Sequence, residues 1–314
     1  MRTSVRSSAA ALSLATMATA ALDKPVINPT FPGGGLDSLA PGLMDSLQIQ
    51  ANTWKAWDNG FIAQDCKTLA EGNNVSPMDI TTFEIKYDDC DDPWVMCRHK
   101  DAPLTEQNIV DMLGRLPVRF RQYVRHMLFL AGNKGAGSNG DNVVMNGDLE
   151  LSVFIHEIGH SYDSHGMPQE SFSTTQTWLD AYNADSAVTD AYGQSSQAEN
   201  FAQQTVVALF DKYVQGGAAG INPSAQSIFN QYNTILTESG DKLNTDGSCT
   251  SRLENSPPVA QSFSARMRPA SQAPNVSLSP KTKVIKSTPM SEEMEIVQQD
   301  AQGKVTKKVV KLNV

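Results

Sequence analysis

One short run of residues constrains this chain more than any other, Phe154-Ile155-His156-Glu157-Ile158-Gly159-His160. Its two histidines are four residues apart, a spacing that places both imidazoles on the same face of an α-helix. The apolar residues of the segment follow helical periodicity and predict a buried stripe on the opposite face: Leu151, Phe154, Ile155 and Ile158. The pattern predicts a helix in which His156 and His160 bind Zn²⁺ and Glu157 acts as general base on a water molecule.

A catalytic zinc site needs a third protein ligand, and Glu199 is the strongest candidate in the sequence. It lies near the start of a second predicted helix, from about Ser196 to about Gln215, at the edge of that helix's apolar stripe. A carboxylate directed into the protein needs a cationic partner, and zinc would be one. The competing interpretation is a capping box formed by Ser196 and Glu199, in which the glutamate has a structural role only.

Two further polar residues follow the motif and offer alternatives for the third ligand. Asp163 shares the helix face of the two histidines, and we expect it to support a ligating histidine rather than to bind the metal itself. His165 lies about 140° round the helix from His160, away from the ligand face, and is expected at the protein surface or at the rim of the site. Direct ligation by either residue stays open if Glu199 proves structural.

The N-terminus has the three parts of a secretory signal peptide. Arg2 and Arg6 supply a basic start, residues 9–17 form an apolar stretch, and small residues provide a cleavage point after Ala20. The apolar stretch is too short to span a membrane, and no later run is long enough. We therefore expect a secreted, extracellular protein, and we leave open whether it associates with the cell wall.

Four cysteines agree with secretion, because an even number in an oxidising compartment predicts two disulfides. Cys66, Cys90, Cys97 and Cys249 allow three pairings. We favour a local Cys90–Cys97 bridge combined with a long-range Cys66–Cys249 bridge, although the sequence alone does not decide between the three.

The formal charge of −9 is unevenly distributed along the chain. Residues 251–314 carry +5, and the remainder therefore carries −14. An acidic body argues against nucleic acid and anionic membranes as partners, because both are polyanions. We expect a peptide or protein substrate, no nucleic-acid or membrane partner, and a monomer.

Composition divides the chain into four parts. We predict a signal peptide at 1–20, a leader or linker rich in proline and glycine at 21–50, one globular domain at 51–250, and a disordered tail rich in serine, proline and lysine at 251–314.

Within the domain, the hydrophobic pattern predicts strands at 82–87, 127–130 and 142–145 and a glycine-rich loop at 132–140. It also predicts a helix that Thr105 caps and that ends near Pro117. This order predicts an α+β domain with a small mixed sheet beside the motif helix, followed by a helical C-terminal subdomain.

The motif and its downstream helix together resemble the catalytic domain of anthrax lethal factor-type gluzincin metallopeptidases. The resemblance rests on His156-Glu157-Ile158-Gly159-His160 with Asp163, on Tyr192-Gly193, and on Ala198-Glu199-Asn200-Phe201-Ala202. It implies a zincin-like fold in which the two histidines and Glu199 bind zinc and Glu157 is the general base. It also implies that Tyr192 donates a hydrogen bond to the oxyanion of the transition state.

Over a longer span, from about residue 50 to about residue 255, the chain resembles the fungal conidiation-specific secreted proteins. The stretches that carry this resemblance are Asp79-Ile80, Asp89-Cys90, Pro93-Trp94-Val95-Met96-Cys97-Arg98-His99 and Phe201-Ala202-Gln203. It implies a secreted fungal protein and says little about the substrate. The sequence as a whole predicts a secreted zinc metalloendopeptidase. The alternative is a non-catalytic zinc-binding protein, such as a spore-surface component or an effector, that retains the site.

Overall fold

The computed structural model describes residues 21–262 and, for the backbone only, two strands at 293–299 and 305–311. The predicted signal peptide and most of the predicted tail lie outside the described residues. The described part is α+β, as the sequence predicts. Its strands are β1 (Asn52–Ala56), β2 (Phe61–Ala63), β3 (Ile80–Tyr87), β4 (Trp94–His99), β5 (His126–Leu130), β6 (Gly135–Asn139), β7 (Asn142–Asn146), β8 (Pro258–Ala260), β9 (Glu293–Gln299) and β10 (Val305–Lys311).

The α-helices of the same part place the motif in the middle of the chain. They are α1 (Ala40–Ser46), α2 (Gln64–Gly72), α3 (Glu106–Arg115), α4 (Val118–Arg121), α5 (Leu151–Ser161), α6 (Gln176–Ala184), α7 (Gln197–Tyr213), α8 (Gly217–Ile221) and α9 (Phe229–Ser239). Thr105 caps α3 with a reciprocal capping box, as predicted. Among these described helices, none combines the length and the apolar character that crossing a membrane requires.

Six strands form one mixed sheet in the order β1-β3-β4-β5-β7-β6. The neighbours β4, β5 and β7 are parallel, whereas the pairs β1–β3, β3–β4 and β6–β7 are antiparallel. Strand β5 is buried along its whole length because both of its faces are covered: Met127 and Phe129 pack in the main core, and Leu128 and Leu130 in a smaller one. The structure confirms the three predicted strands within β3, β5 and β7.

One predicted loop contains a strand instead. The glycine-rich segment 132–140 includes β6, which pairs with β7 from Gly135↔Asn146 to Asn139↔Asn142. Its glycines favour a loop, but a strand can still form, because hydrogen bonds between backbones do not depend on side chains. Gly140 lies in the turn of the hairpin with a φ of 60°, a value that glycine adopts readily. The resulting hairpin forms one edge of the sheet and lies against α5.

Helices α5 and α7 pack against each other, and a pair of small residues sets their separation. A Cβ atom added at Gly159 would lie 3.3 Å from the Cα atom of Ala202, a contact so short that a larger residue there would push the two helices apart by a few tenths of an ångström. The predicted apolar stripe of α5 is completely buried: Leu151, Phe154, Ile155 and Ile158. The side chains of His156 and His160 face the first turns of α7.

Residues 21–50, which we expected to form a leader or linker, belong to the domain. Four leucines of this segment lie in the main core, each less than 5% exposed: Leu36, Leu39, Leu43 and Leu47. Backbone hydrogen bonds join the first residues to the loop before α7, from Ile27 N–H to Val188 O and from Leu22 N–H to Gln194 O. Composition misled here because Pro32 and Pro41 lie in the first turn of short helical segments, where proline is tolerated, while the leucines recur at helical spacing.

Residues 251–262, which we expected to begin a disordered tail, also belong to the domain. Strand β8 pairs with β2, and the Arg252 guanidinium lies 5.0 Å from the centroid of the Trp94 ring. The Ser256 N–H donates to Nε2 of the buried His126. Farther along the chain, β9 and β10 pair antiparallel with each other. Polar and cation–π contacts hold residues 251–262 in place. The prediction of disorder considered only the small number of large apolar residues, and so it did not take these contacts into account.

Two disulfides form, but their pairing differs from the favoured one. They join Cys66 to Cys97 and Cys90 to Cys249. Cys97 lies on β4 and points into the smaller core, where Cys66 of α2 is buried. Cys90 lies between β3 and β4 and forms a β-bridge with Cys249. The prediction of a Cys90–Cys97 bridge was wrong. It relied on the closeness of the two residues in sequence, but Cys90 is buried in the main core and Cys97 in the smaller one.

The long-range bridge is expected to contribute more stability than the short-range one. The Cys90–Cys249 bridge closes 159 residues and the Cys66–Cys97 bridge 31, and a longer closed loop removes more entropy from the unfolded chain. Replacing Cys90 and Cys249 by alanine should lower the free energy of unfolding by about 2–5 kcal/mol. The matched Cys66→Ala, Cys97→Ala variant should lose less, and denaturant titration of both would reveal the opposite order if this account is wrong.

Candidate metal centre

Helices α5 and α7 bring two imidazoles and one carboxylate to a single point. His156 Nε2 lies 3.2 Å from His160 Nε2 and 3.2 Å from Glu199 Oε2. His160 Nε2 lies 3.4 Å from the same carboxylate oxygen. The two histidines are one turn apart on α5, and Glu199 occupies the first turn of α7, so the close approach at Gly159 draws the three together.

The three atoms form a triangle of the size that tetrahedral zinc requires. Zinc binds imidazole nitrogen at about 2.0–2.1 Å and carboxylate oxygen at about 2.0–2.2 Å, so two ligand atoms of a tetrahedron are about 3.3–3.5 Å apart. The observed edges of 3.2, 3.2 and 3.4 Å match one face of that tetrahedron. Two nitrogens and one carboxylate oxygen are also the donor set of many catalytic zinc sites. The residues present therefore fit a zinc ion.

Burial and charge act in opposite directions on these side chains. Burial lowers the pKa of His160, but the Glu199 carboxylate outweighs it and raises that pKa to about 9. Burial likewise raises the pKa of Glu199, and the two histidines outweigh it and hold this pKa well below its usual value. Glu199 is therefore ionised at neutral pH, the form that binds a cation. Its Oε1 atom is buried and has no hydrogen-bond partner among the described residues, which leaves room for a ligand.

Only half of the competing capping box forms at Glu199. Its backbone N–H donates to Ser196 Oγ over 3.2 Å, so Ser196 does cap α7. The Glu199 side chain does not return the bond to the Ser196 backbone, because its carboxylate faces the two histidines. The reciprocal box at Thr105 and Asn108 shows how the complete motif looks in this same chain.

Glu157 and Tyr192, the two predicted catalytic residues, lie beside this cluster. Glu157 is completely buried on α5, and its carboxylate adds to the effect that Glu199 has on the pKa of His160. Tyr192 comes directly before a short helical turn, Gly193–Ser195, and its ring centroid is 5.3 Å from that of His156. The structure thus brings together five predicted site residues: His156, Glu157, His160, Tyr192 and Glu199.

Asp163 and His165 lie elsewhere. Asp163 is buried in the turn after α5, and both its oxygens accept hydrogen bonds from Ser173, one from the backbone and one from the hydroxyl. No hydrogen bond joins it to either motif histidine in the described part of the chain, and its support of His160 is through charge, since its carboxylate adds to the effect that raises the pKa of His160. His165 Nε2 lies 2.9 Å from Asp141 Oδ1 on the β6–β7 hairpin and is half exposed, as expected for a residue at the rim.

The residue that supports a motif histidine is Gln203. Its Oε1 lies 2.9 Å from His156 Nδ1, and its Nε2 donates to Asp190 Oδ2 over 2.5 Å. Gln203 is four residues after Glu199 and so shares its helix face, a spacing that the sequence does contain. Asp190 lies in an irregular loop, where periodicity gives no signal, and sequence reasoning missed it.

Comparison with known proteins identifies the family. A model of the family described as conidiation-specific protein Con-13 matches residues 33–245, a range that contains every residue of the candidate site. The chain is also 32% identical over 196 residues to conidiation-specific protein 13 of Neurospora crassa, an alignment that covers 60% of this chain. It spans about half, 55%, of the length of that relative. The resemblance to conidiation-specific proteins predicted from the sequence is confirmed, and the chain belongs to the Con-13 family.

Proposed function

We propose that this protein is a secreted, zinc-dependent metalloendopeptidase with a zincin-like fold. The observation that carries the proposal is the triangle of His156 Nε2, His160 Nε2 and Glu199 Oε2, whose edges have the length of a tetrahedral zinc face. The neighbouring Glu157 supports a catalytic rather than a purely structural role for the metal, because a structural site needs no buried carboxylate beyond its ligands. The mixed sheet, with its antiparallel edge strand β6 against α5, supports the zincin-like assignment.

His156, His160 and Glu199 would hold the ion. When bound, zinc supplies a Lewis acid that polarises a peptide carbonyl and makes water easier to deprotonate. The burial of His156 and Glu199, with His160 largely buried beside them, favours this chemistry, since electrostatic interactions are stronger where water is excluded.

Glu157 would move the proton. It follows His156 directly on α5 and is buried, so its carboxylate has a fixed place next to the ligand face. In the proposed reaction it accepts the proton of the attacking water and donates it to the nitrogen of the departing amine. After both steps the carboxylate of Glu157 is ionised again and ready for the next turnover.

Tyr192 would stabilise the charge that develops on the peptide oxygen. Its ring packs beside His156, and only 6% of the residue is exposed. A phenol O–H held there can donate a hydrogen bond to an oxyanion without waiting for solvent to reorganise. This role concerns the transition state and not the binding of zinc, so it can be separated experimentally from those of the three ligands.

Metal analysis and a peptidase assay test the proposal together. The mature protein, purified without chelator, should contain one zinc per chain, and it should cleave members of a peptide library. A chelator should abolish cleavage, and added zinc should restore it. A zinc content near zero that added zinc does not raise would contradict the proposal.

The non-catalytic alternative is a zinc-storing or spore-surface protein that keeps the same three ligands. The family description and the name of the Neurospora crassa relative refer to conidiation and state no catalytic activity. Tight zinc binding without hydrolysis of any peptide in the library would favour this alternative.

A further inference from the structure

A continuous chain of hydrogen bonds connects His156 to the loop that carries Tyr192. His156 Nδ1 lies 2.9 Å from Gln203 Oε1, and Gln203 Nε2 donates to Asp190 Oδ2 over 2.5 Å. The other oxygen, Asp190 Oδ1, accepts the backbone N–H of Gly193 over 2.8 Å. The three side chains are buried, each no more than 6% exposed, so water does not compete for these bonds.

Asp190 determines the direction of every bond in this chain. Both oxygens of Asp190 accept hydrogen bonds, one from the Gly193 N–H and one from Gln203 Nε2, so the amide of Gln203 turns its NH₂ group toward Asp190 and its oxygen toward His156. The oxygen can only accept, and His156 must therefore carry its proton on Nδ1. That tautomer leaves the lone pair of Nε2 directed at His160 and Glu199, the position where a metal would bind.

The same carboxylate also fixes the course of the loop. Gly193 follows Tyr192 directly, and its N–H is held by Asp190 Oδ1. A Cβ atom added at Gly193 would lie 2.6 Å from the hydroxyl oxygen of Thr189, so the loop closes tightly here. Asp190 thus contacts both the support of a candidate zinc ligand and the backbone next to the candidate oxyanion donor.

We propose that Asp190 is a positioning residue that couples the metal centre to the Tyr192 loop. Acting through Gln203, it selects the tautomer in which His156 can bind zinc, and acting through Gly193 it keeps Tyr192 beside the metal. The inference rests on the proposed zinc site, but it concerns a residue that neither the motif nor the ligand set includes. Its test uses zinc affinity and a proton resonance, so it does not depend on whether the protein cleaves peptides.

Asp190→Asn should weaken zinc binding by about 10–100-fold, the usual effect of losing an outer partner of a ligating histidine. The new amide would keep its oxygen on the Gly193 N–H and present its NH₂ group to Gln203. Gln203 would then turn its own NH₂ group toward His156, which disfavours a proton on Nδ1. Competition with a chelator measures the zinc affinity. Proton NMR of the metal-free protein should show the exchange-protected Nδ1–H resonance of His156 in the wild type, and a weakened or missing one in the variant.

A double variant supplies the decisive control. Asp190→Asn combined with Gln203→Glu moves the negative charge one step along the chain, so the new glutamate can accept from both the new amide and His156 Nδ1–H. Zinc affinity and the Nδ1–H resonance should both recover, which a role in packing alone would not predict. Thr189→Val is the matched control, because it removes only the long 3.4 Å hydrogen bond from the Thr189 hydroxyl to Asp190 Oδ1 and leaves the bonds of Asp190 to Gln203 and Gly193 in place. It should bind zinc like the wild type.

Three results would overturn the inference: unchanged zinc affinity and resonance in Asp190→Asn, no recovery in the double variant, or a loss in Thr189→Val equal to that in Asp190→Asn. If Asp190→Asn does not fold, the double variant decides alone, since it should fold, bind zinc and show the resonance. Zinc binding without peptide hydrolysis would contradict the peptidase while leaving this inference standing.

Discussion

Glu157→Gln is expected to bind zinc as the wild type does and to lose peptide hydrolysis by about 10²-fold or more. The substitution keeps the size and shape of a completely buried side chain, so the helix packing around it should persist. It removes the carboxylate that would take up and release the proton, and a neutral amide cannot replace it. Zinc stoichiometry and turnover of a cleaved library peptide, measured on the same preparation, provide the two readings.

Tyr192→Phe is the companion variant for this experiment. It removes one hydroxyl beside His156, keeps the ring that packs there, and should lower turnover with little change in zinc content. Wild-type turnover in Glu157→Gln would show that the proposed proton transfer is wrong. A loss of zinc in either variant would instead mean that the residue helps to build the site and does not act only in the reaction.

Glu199→Ala is expected to abolish both tight zinc binding and hydrolysis. The change removes the only carboxylate of the His156, His160 and Glu199 group, and two imidazoles alone leave the ion without its charged ligand. It also removes the charge that holds the pKa of His160 high, so the apoprotein should titrate differently. Competition with a chelator gives the zinc affinity, and thermal unfolding with chelator present gives the stability of the apoprotein.

Ser196→Ala separates ligation from capping. Ser196 Oγ accepts from the Glu199 N–H, so its loss should cost about 0.5–2 kcal/mol of stability, yet it touches no proposed ligand atom. Zinc affinity should stay near that of the wild type. If Ser196→Ala and Glu199→Ala weaken zinc binding equally, Glu199 acts through the helix, and the third ligand must be sought at another residue.

The sequence predicts those parts of the site whose positions follow from the regular geometry of one helix. His156, Glu157 and His160 lie within five residues, and their geometry follows from one turn of α5. Glu199 was more difficult, because its distance from the motif is set by packing between α5 and α7. A resemblance and the edge position of Glu199 on an amphipathic helix pointed to it. Asp190 could not be found this way, because it lies in an irregular loop, where the sequence shows no helical or strand periodicity.

Most of the wrong predictions about the fold relied on amino-acid composition, whereas the structure of these segments depends on the spacing of their residues and on the strands and helices that they contact. The N-terminal segment contains enough proline and glycine to look like a linker, but Leu36, Leu39 and Leu43 repeat as one face of a helix and are buried. Strand β6 is rich in glycine, and it is stabilised by antiparallel pairing with β7 and not by its own side chains. The disulfide pairing depends on which face of the sheet each cysteine occupies, which sequence separation does not reveal.

The N-terminal segment is attached to residues that lie much later in the chain, and this has a consequence for folding during synthesis. Asp23 and Pro29 are bound by Tyr182 and Asn222, which follow them by 159 and 193 residues. At the usual pace of translation these partners emerge roughly 10–30 s or more after the first residues, so the nascent chain must carry its buried leucines exposed for that time. The loop around Tyr192 can form its hydrogen bonds with Leu22 and Ile27 only after this long wait. We therefore expect the N-terminal segment to dock late, after the helices that follow the metal centre have been synthesised.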